Sequence, residues 1–399
     1  MIPNLRQIYN AAFTEAKYTA FKDYITGLYD HTPPFRLGET PVFVPDDFRD
    51  KLIRACDDIV DMIVHPNFRQ LTEGSIMPEN RVPNEDAHPT FMVLDFGICA
   101  GKNGELEPKL IEMQGFPSLY FFQNDLAKGY QNSFGNIPKA MSHLFNGLDT
   151  EGYINLIREV IVGDTPSENV VLLEVEPEKQ NTLIDFLGTA KHLGIKILCL
   201  TKAIKRGRQL FYENEKGDLI LIKKIYNRVI FDELDRRPDL TFGFNFTDDL
   251  DVEWIGHPNW FFRISKYTLP FLKSDFVPKT FFLDKMTEYP TDLENYVLKP
   301  LFSFSGQGVK INITQKDLDD VTDRSNHILQ EKVNYVAALK TPSEPAKIEI
   351  RMLMVWKKEW ARPMIVNNLI RLSKGIMIGV RYNKDKDWVG ASVGFFNPK

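Results

Sequence analysis

The sequence is poor in the groups from which most catalytic centres are assembled. Its three cysteines, Cys56, Cys99 and Cys199, lie far apart, which excludes a disulfide framework and the paired spacings of zinc sites. Its seven histidines include no His-x-His or His-x-x-x-His pair, so no transition-metal site is expected. No Ser/His/Asp or Cys/His arrangement offers nucleophile machinery. No apolar run approaches the roughly 20 residues that cross a bilayer. The start, Met-Ile-Pro-Asn-Leu-Arg, lacks the apolar core of a secretory signal. A formal net charge of −5 over 399 residues gives no electrostatic case for nucleic acid or a membrane surface. These absences lead to the expectation of a reduced, cytoplasmic protein.

What is present is an ordinary globular composition, 43 % hydrophobic and 26 % charged, with length enough for two or three domains. Apolar residues recur at helical spacing over 5–30 and 46–64, while 66–90 reads as an irregular surface segment. Phe91–Phe96 and Pro108–Met113 are strand candidates joined by a turn-rich loop, hence a hairpin. Near 165 the texture changes. A strand at Asn169–Val175, a helix over 177–193 closed by Gly194 and a strand at Ile195–Thr201 predict a parallel βαβ unit. Strands at Gln209–Tyr212 and Leu219–Ile225 follow, and the run 346–396 is strand-rich. These shifts divide the chain into segments 1–160, 161–260 and 261–399.

The most informative stretch is Val297-Leu-Lys-Pro-Leu-Phe-Ser-Phe-Ser-Gly-Gln-Gly-Val309. An apolar strand delivers Lys299 and breaks at Pro300; a small-residue loop carrying Ser305, Gly306, Gln307 and Gly308 follows. An ammonium beside a loop whose glycines let backbone N–H groups approach suits a triphosphate. No Gly-Lys-Ser/Thr opens a helix here, so this is not a Walker A loop. Upstream, Lys266 supplies a second cation for the same phosphates. Downstream, Gln330-Glu331-Lys332-Val333 ends a strand where an acid or backbone carbonyl accepts an adenine amino group and Val333 offers its N–H.

Strand alternation puts Glu349 and Arg351 on one face of Lys347–Val355. With Arg371 further on, Arg351 is a candidate to neutralise transferring phosphate, or else to form structural ion pairs. Asp95 sits in the apolar strand 91–96, where an uncompensated acid is costly. A metal, a basic partner or solvent must offset it. Glu112 and Gln114 alternate on the next strand, and three oxygen-bearing side chains suit Mg²⁺.

In this order the motifs resemble the ATP-grasp superfamily, with one transposition. The metal-binding end, Leu94-Asp95-Phe96 and Ile111-Glu112-Met-Gln114 with Pro117-Ser118, comes first and the lysine loops come last. That arrangement is similar to the circularly permuted ATP-grasp proteins, the group containing glutathionylspermidine synthase. The resemblance covers residues 90–399. It implies an α/β (α+β) ATP-grasp fold, circularly permuted, around a central Rossmann-like pre-ATP-grasp domain. It also implies an ATP- and Mg²⁺-dependent carboxylate–amine ligase working through an acyl-phosphate on a small molecule or peptide. Asp95, Glu112 and Gln114 would hold the metal. Lys266, Lys299, residues 305–308 and Glu331–Val333 would hold ATP, and Arg351 and Arg371 would act on the transferred charge. Two departures stand out: Gln114 replaces the usual Asn, and Val93 takes the place of a usual Arg, whose charge Arg351 or Arg81 would supply. Arg81, Arg228, Arg206 and Arg208 are candidate clamps for a substrate carboxylate. Phe116, Tyr120, Phe121, Phe302 and Phe304 are candidates for a pocket or for the core. The competing functions are a nucleotide-binding regulator without turnover and a small-molecule kinase.

Overall fold

The computed structural model describes residues 1–399 apart from 235, 304–305, 376–377, 379–382 and 399. At its centre lies a five-stranded antiparallel sheet built from both ends of the chain. Its strand order is Gly390–Ser392, Met364–Ser373, Lys347–Val355, Phe91–Ala100 and Leu106–Gln114. Period-two alternation gives the sheet two different faces. Met92, Leu94, Phe96 and Ile98, with Ile348, Ile350, Met352 and Met354, pack against the buried side of helix Asp46–Ile63, including Phe48, Leu52, Cys56 and Ile59. The opposite face is apolar at one end, where Phe91, Val93, Leu353 and Val355 meet Tyr120 and Tyr153. Its other end carries Asp95, Glu349 and Arg351.

The hairpin expected over 91–113 is present and longer, and it contains a bulge. Asp95 opposes Glu112 while Phe96 opposes Leu110, so Ile111 has no partner across the ladder.

The middle of the chain forms an open sheet of four parallel strands, ordered Glu253–Ile255, Lys224–Asn227, Val170–Glu174 and Lys196–Cys199. Helix Leu183–Leu193 links the last two and ends at Gly194 in the left-handed conformation (φ 72°). It begins later than the periodicity predicts, because Glu176 takes a left-handed φ of 41° and Pro177–Lys179 form a separate 3-10 turn. The strand expected over 219–225 is two strands. Leu219–Ile222 joins a small antiparallel sheet with Ile204–Arg206 and Gln209–Glu213, and Lys224–Asn227 joins the parallel one.

The third of the larger sheets, antiparallel and four-stranded, is ordered Thr280–Phe282, His327–Glu331, Tyr296–Pro300 and Lys310–Ile311. Leu283, Leu298, Leu318 and Leu329 give it a core of its own. Among the described residues no helix is long and apolar enough to cross a membrane.

Candidate functional site

The polar end of the central sheet holds a network of charges set by strand register. Asp95 lies opposite both Arg351 and Glu112, and Glu349 lies opposite Arg371. Arg351 donates Nε to Asp95 Oδ1 at 2.6 Å and Nη2 to Oδ2 at 2.7 Å, a two-pronged contact. Arg371 donates Nη2 to the same Oδ2 at 2.6 Å and also pairs with Glu349. Arg351 Nη1 reaches Ser118 Oγ at 3.0 Å, and Tyr335 donates its hydroxyl to Glu349 at 2.8 Å.

Two guanidinium groups, rather than solvent, therefore offset the Asp95 charge. Burial alone would raise this fully enclosed carboxyl, but Arg351 and Arg371 outweigh it and hold it below the usual range. For Glu349 burial prevails over Arg371, and with Asp95 nearby its carboxyl is raised. Arg371 Nε is buried with no hydrogen-bond partner among the described residues.

The third sheet delivers Lys299 to the same place. Its ammonium donates to the carbonyl of Ile111 at 3.2 Å, the residue left unopposed by the bulge, and to Gln330 Oε1 at 2.6 Å. Thr280 fixes that amide from behind, at 3.0 Å. Burial is the main cause that lowers Lys299 to about 8; Lys266 adds to it, while Glu112 and Glu349 oppose it. Lys266 Nζ donates to the carbonyl of Ser303 at 2.7 Å. Gly306 and Gly308 both take φ 70°, and a Cβ on Gly308 would come 2.7 Å from the Pro300 ring. Gln307 accepts from Arg236 at 2.6 Å. Ser305 lies outside the described residues, as does Phe304.

The structure thus brings Asp95, Glu112, Lys299, Lys266, Glu349, Arg351 and Arg371 into one connected cluster, with four cationic groups against three carboxylates. An excess of positive charge within this cluster favours an anionic ligand.

Among the described residues no three of His, Cys, Asp and Glu form a cation cage. The donor chemistry at the mouth of the hairpin nonetheless fits magnesium, which takes one or two protein oxygens and completes its shell with phosphate and water. Gln114 donates Nε2 to Glu112 Oε1 at 2.9 Å, which leaves Gln114 Oε1 and Glu112 Oε2 as the oxygens a cation would take. Asp95 differs, since both its oxygens are taken by arginine.

The other sequence candidates fall into place around this centre. Glu331 is a strand-end residue whose carboxylate accepts the Lys279 N–H at 3.2 Å. Lys332 donates its backbone N–H to Asn295 at 2.7 Å and Nζ to Asn312 at 3.1 Å. Val333 packs over Gly97, where a Cβ would lie 3.0 Å from its Cγ1. Arg81 and Arg208 are held in surface ion pairs with Glu73 and with Asp249 and Asp251. Arg206 lies over the Phe211 ring. Tyr120 and Phe121 are core residues.

Arg228 is the exception among the arginine candidates. Only 5 % exposed, it stands at the carboxyl end of the parallel strand Lys224–Asn227, between the rings of Phe116 (4.8 Å) and Phe186 (5.4 Å). Its Nε and Nη1 have no hydrogen-bond partner among the described residues. Asp185, nearby, spends Oδ1 on the N–H groups of Phe121 and Phe122, both at 2.9 Å.

No protein-family model matches the chain, and no curated protein matches it significantly. The fold, however, has a counterpart. A glutathione synthetase-like effector (GSS30) from Globodera pallida, solved in its apoform, superposes with a TM-score of 0.60. The match covers 100 % of this chain and 99 % of that one at 10 % identity, so the likeness is one of fold.

Sequence reasoning missed Tyr335, Asp185 and the Ile111 carbonyl. Their roles depend on contacts between distant segments, which no local pattern carries.

Proposed function

We propose that the chain is an ATP- and Mg²⁺-dependent carboxylate–amine ligase of circularly permuted ATP-grasp type, its parallel sheet being the pre-ATP-grasp, Rossmann-like domain. The observation that carries this reading is the contact of Lys299 with the Ile111 carbonyl. It joins a cation from the last third of the chain to the acidic hairpin near the beginning.

In this reading Lys299 and Lys266 bind the α- and β-phosphates, and the 301–308 loop covers them and excludes water. Glu112 and Gln114 would hold magnesium, which when bound would supply charge neutralisation to the triphosphate. Asp95 orients Arg351 and Arg371, and Arg371, with 37 % of its side chain exposed, faces the transferred phosphoryl group. A substrate carboxylate takes up that group, an amine attacks the acyl-phosphate, and phosphate leaves. These steps need position and charge neutralisation more than any protein nucleophile. Arg228, buried and with open donors, is the anchor for an acidic group of the substrate.

One observation favours a second reading, a nucleotide-binding protein without turnover. Asp95 is fully committed to arginine, which leaves the metal two protein oxygens.

Product analysis separates these functions. A ligase releases ADP and free phosphate only when both carboxylate and amine are supplied. A kinase leaves the phosphate on its acceptor, and a binding protein leaves ATP unchanged. ATP consumed with no amine requirement would refute the ligase.

A further inference from the structure

Away from the charge cluster, a cavity of about 470 Å³ lies where strand Met364–Ser373 begins, whereas Arg371 stands near the other end of that strand. Helix Asp46–Ile63 contributes Arg49, Ile53 and Asp57, which share a face because they recur at four-residue spacing. Leu144, Phe145 and Ile365 give the rest of the wall its apolar character, and Asn146 stands at its edge. Packed interiors leave few voids larger than a water molecule. An apolar hollow of this size with a small number of polar groups has the dimensions of a small-molecule site, roughly 300–1,000 Å³.

The charges on this wall are already paired. Arg49, only 7 % exposed, donates Nε to Asp50 at 3.0 Å and Nη1 to Asp46 at 3.1 Å and to the Asn397 carbonyl at 2.6 Å. Asp57 lies 3.7 Å from Arg362. An ion entering the cavity must break one of these pairs or stay unpaired against apolar side chains, and either is costly. Two hydrogen-bonding positions remain. Arg49 Nη2 donates to nothing among the described residues. Asn146 spends Nδ2 on the Ile365 carbonyl at 2.7 Å, and its Oδ1 accepts from nothing among them. One donor and one acceptor in an apolar wall complement the carbonyl and N–H of an amide.

We propose that this cavity binds an uncharged small molecule, an apolar body bearing a carboxamide, whose carbonyl oxygen accepts from Arg49 Nη2 and whose N–H donates to Asn146 Oδ1. The apolar body fills the space beside Ile53, Leu144, Phe145 and Ile365, where burial of its surface supplies most of the affinity. None of these groups belongs to the nucleotide cluster, so the site is independent of the ligase reading.

The test is calorimetric titration of the full-length protein with three compounds of one skeleton: 3-phenylpropionamide, 3-phenylpropionate and 3-phenylpropylamine. The amide is expected to bind roughly tenfold tighter than either ion, or better. Ile53→Trp, which fills the cavity, should abolish amide binding. Arg49→Lys keeps the charge but loses the guanidinium fork, and should weaken amide binding roughly tenfold. Circular dichroism verifies that each variant is folded. Glu112→Ala, a change in the nucleotide cluster, should leave amide binding as it is. The proposal is overturned if the amide fails to bind or if either ion binds as tightly. It is equally overturned if a folded Ile53→Trp or Arg49→Lys variant binds the amide at full strength, or if Glu112→Ala abolishes binding. Failure of ATP to bind would count against the ligase and leave this result standing by itself.

Discussion

Asp95 and Arg351 sit opposite each other on neighbouring strands, and the guanidinium closes on both oxygens of a carboxylate with no solvent exposure. A pair so buried is costly to make and costlier to break, since removing one member leaves the other charged and unpaired. Asp95→Asn is expected to lower stability by about 3–5 kcal/mol, read from the denaturation midpoint in urea. Adding Arg351→Met should recover part of that loss. A cost of less than about 1 kcal/mol for the single change would show that the network contributes little to the fold.

The lowered value of about 8 at Lys299 carries two consequences of opposite sign. Burial disfavours the ammonium in the folded chain, so this group reduces stability at pH below about 8 and the deficit is relieved as pH rises towards 10.5. Phosphate binding needs the charged form, so ATP affinity should fall as pH rises through 8, with proton uptake on binding. Titrations at pH 7 and pH 9 in buffers of different ionisation enthalpy measure both effects. Lys299→Arg should flatten the dependence, because a guanidinium stays protonated. Identical native affinities at the two pH values would contradict the assignment.

Gly115 is where the end of the Phe91–Gln114 hairpin passes against the segment leading to Lys266. A Cβ there would stand 2.4 Å from the Trp260 carbonyl, and the Gly115 N–H bonds the Ile264 carbonyl at 2.9 Å. Backbone cannot yield as a side-chain tip can. Gly115→Ala is expected to cost about 1–3 kcal/mol and to weaken ATP binding along with stability. A variant as stable as the native chain would mean that the two segments separate easily.

Much of this was legible in the sequence because it depends on period-two alternation. Glu349 with Arg351, and Glu112 with Gln114, share a face for that reason alone, and Lys299 ends an apolar strand that could be read directly. The compensation of Asp95 was not legible. Metal, base and solvent were all named, and the resemblance assigned Asp95 to the metal; the register of three strands instead places two arginines on it. The bulge at Ile111 is likewise a property of pairing, not of composition. Arg228 looks like any strand-end arginine until Phe116 and Phe186, from remote segments, close around it. The strand split at Lys223 was hidden because Leu219–Ile225 is apolar on both sides of the break.

Glu112 and Gln114 carry the magnesium assignment. Glu112→Gln is expected to raise the magnesium concentration needed for ATP binding roughly tenfold, while ATP binding in EDTA changes little. Enzyme-coupled or calorimetric titration of Mg²⁺ at fixed ATP reads this directly. An unaltered magnesium requirement would remove Glu112 from the metal site.

The central claim is that acids from the first hairpin, Lys299 from the third sheet and Lys266 from the 3-10 turn before it grip one nucleotide. The most direct test is calorimetry of Mg-ATP with the native chain, Lys299→Ala, Glu112→Ala and the double variant. Binding should be clear in the native protein, raising its stability by about 2.7 kcal/mol at a hundredfold excess over Kd. It should be at least tenfold weaker in each single variant, and the double variant should lose less than the two losses added, since both groups act on one triphosphate. No binding by the native chain, or full-strength binding by both single variants, would contradict the account.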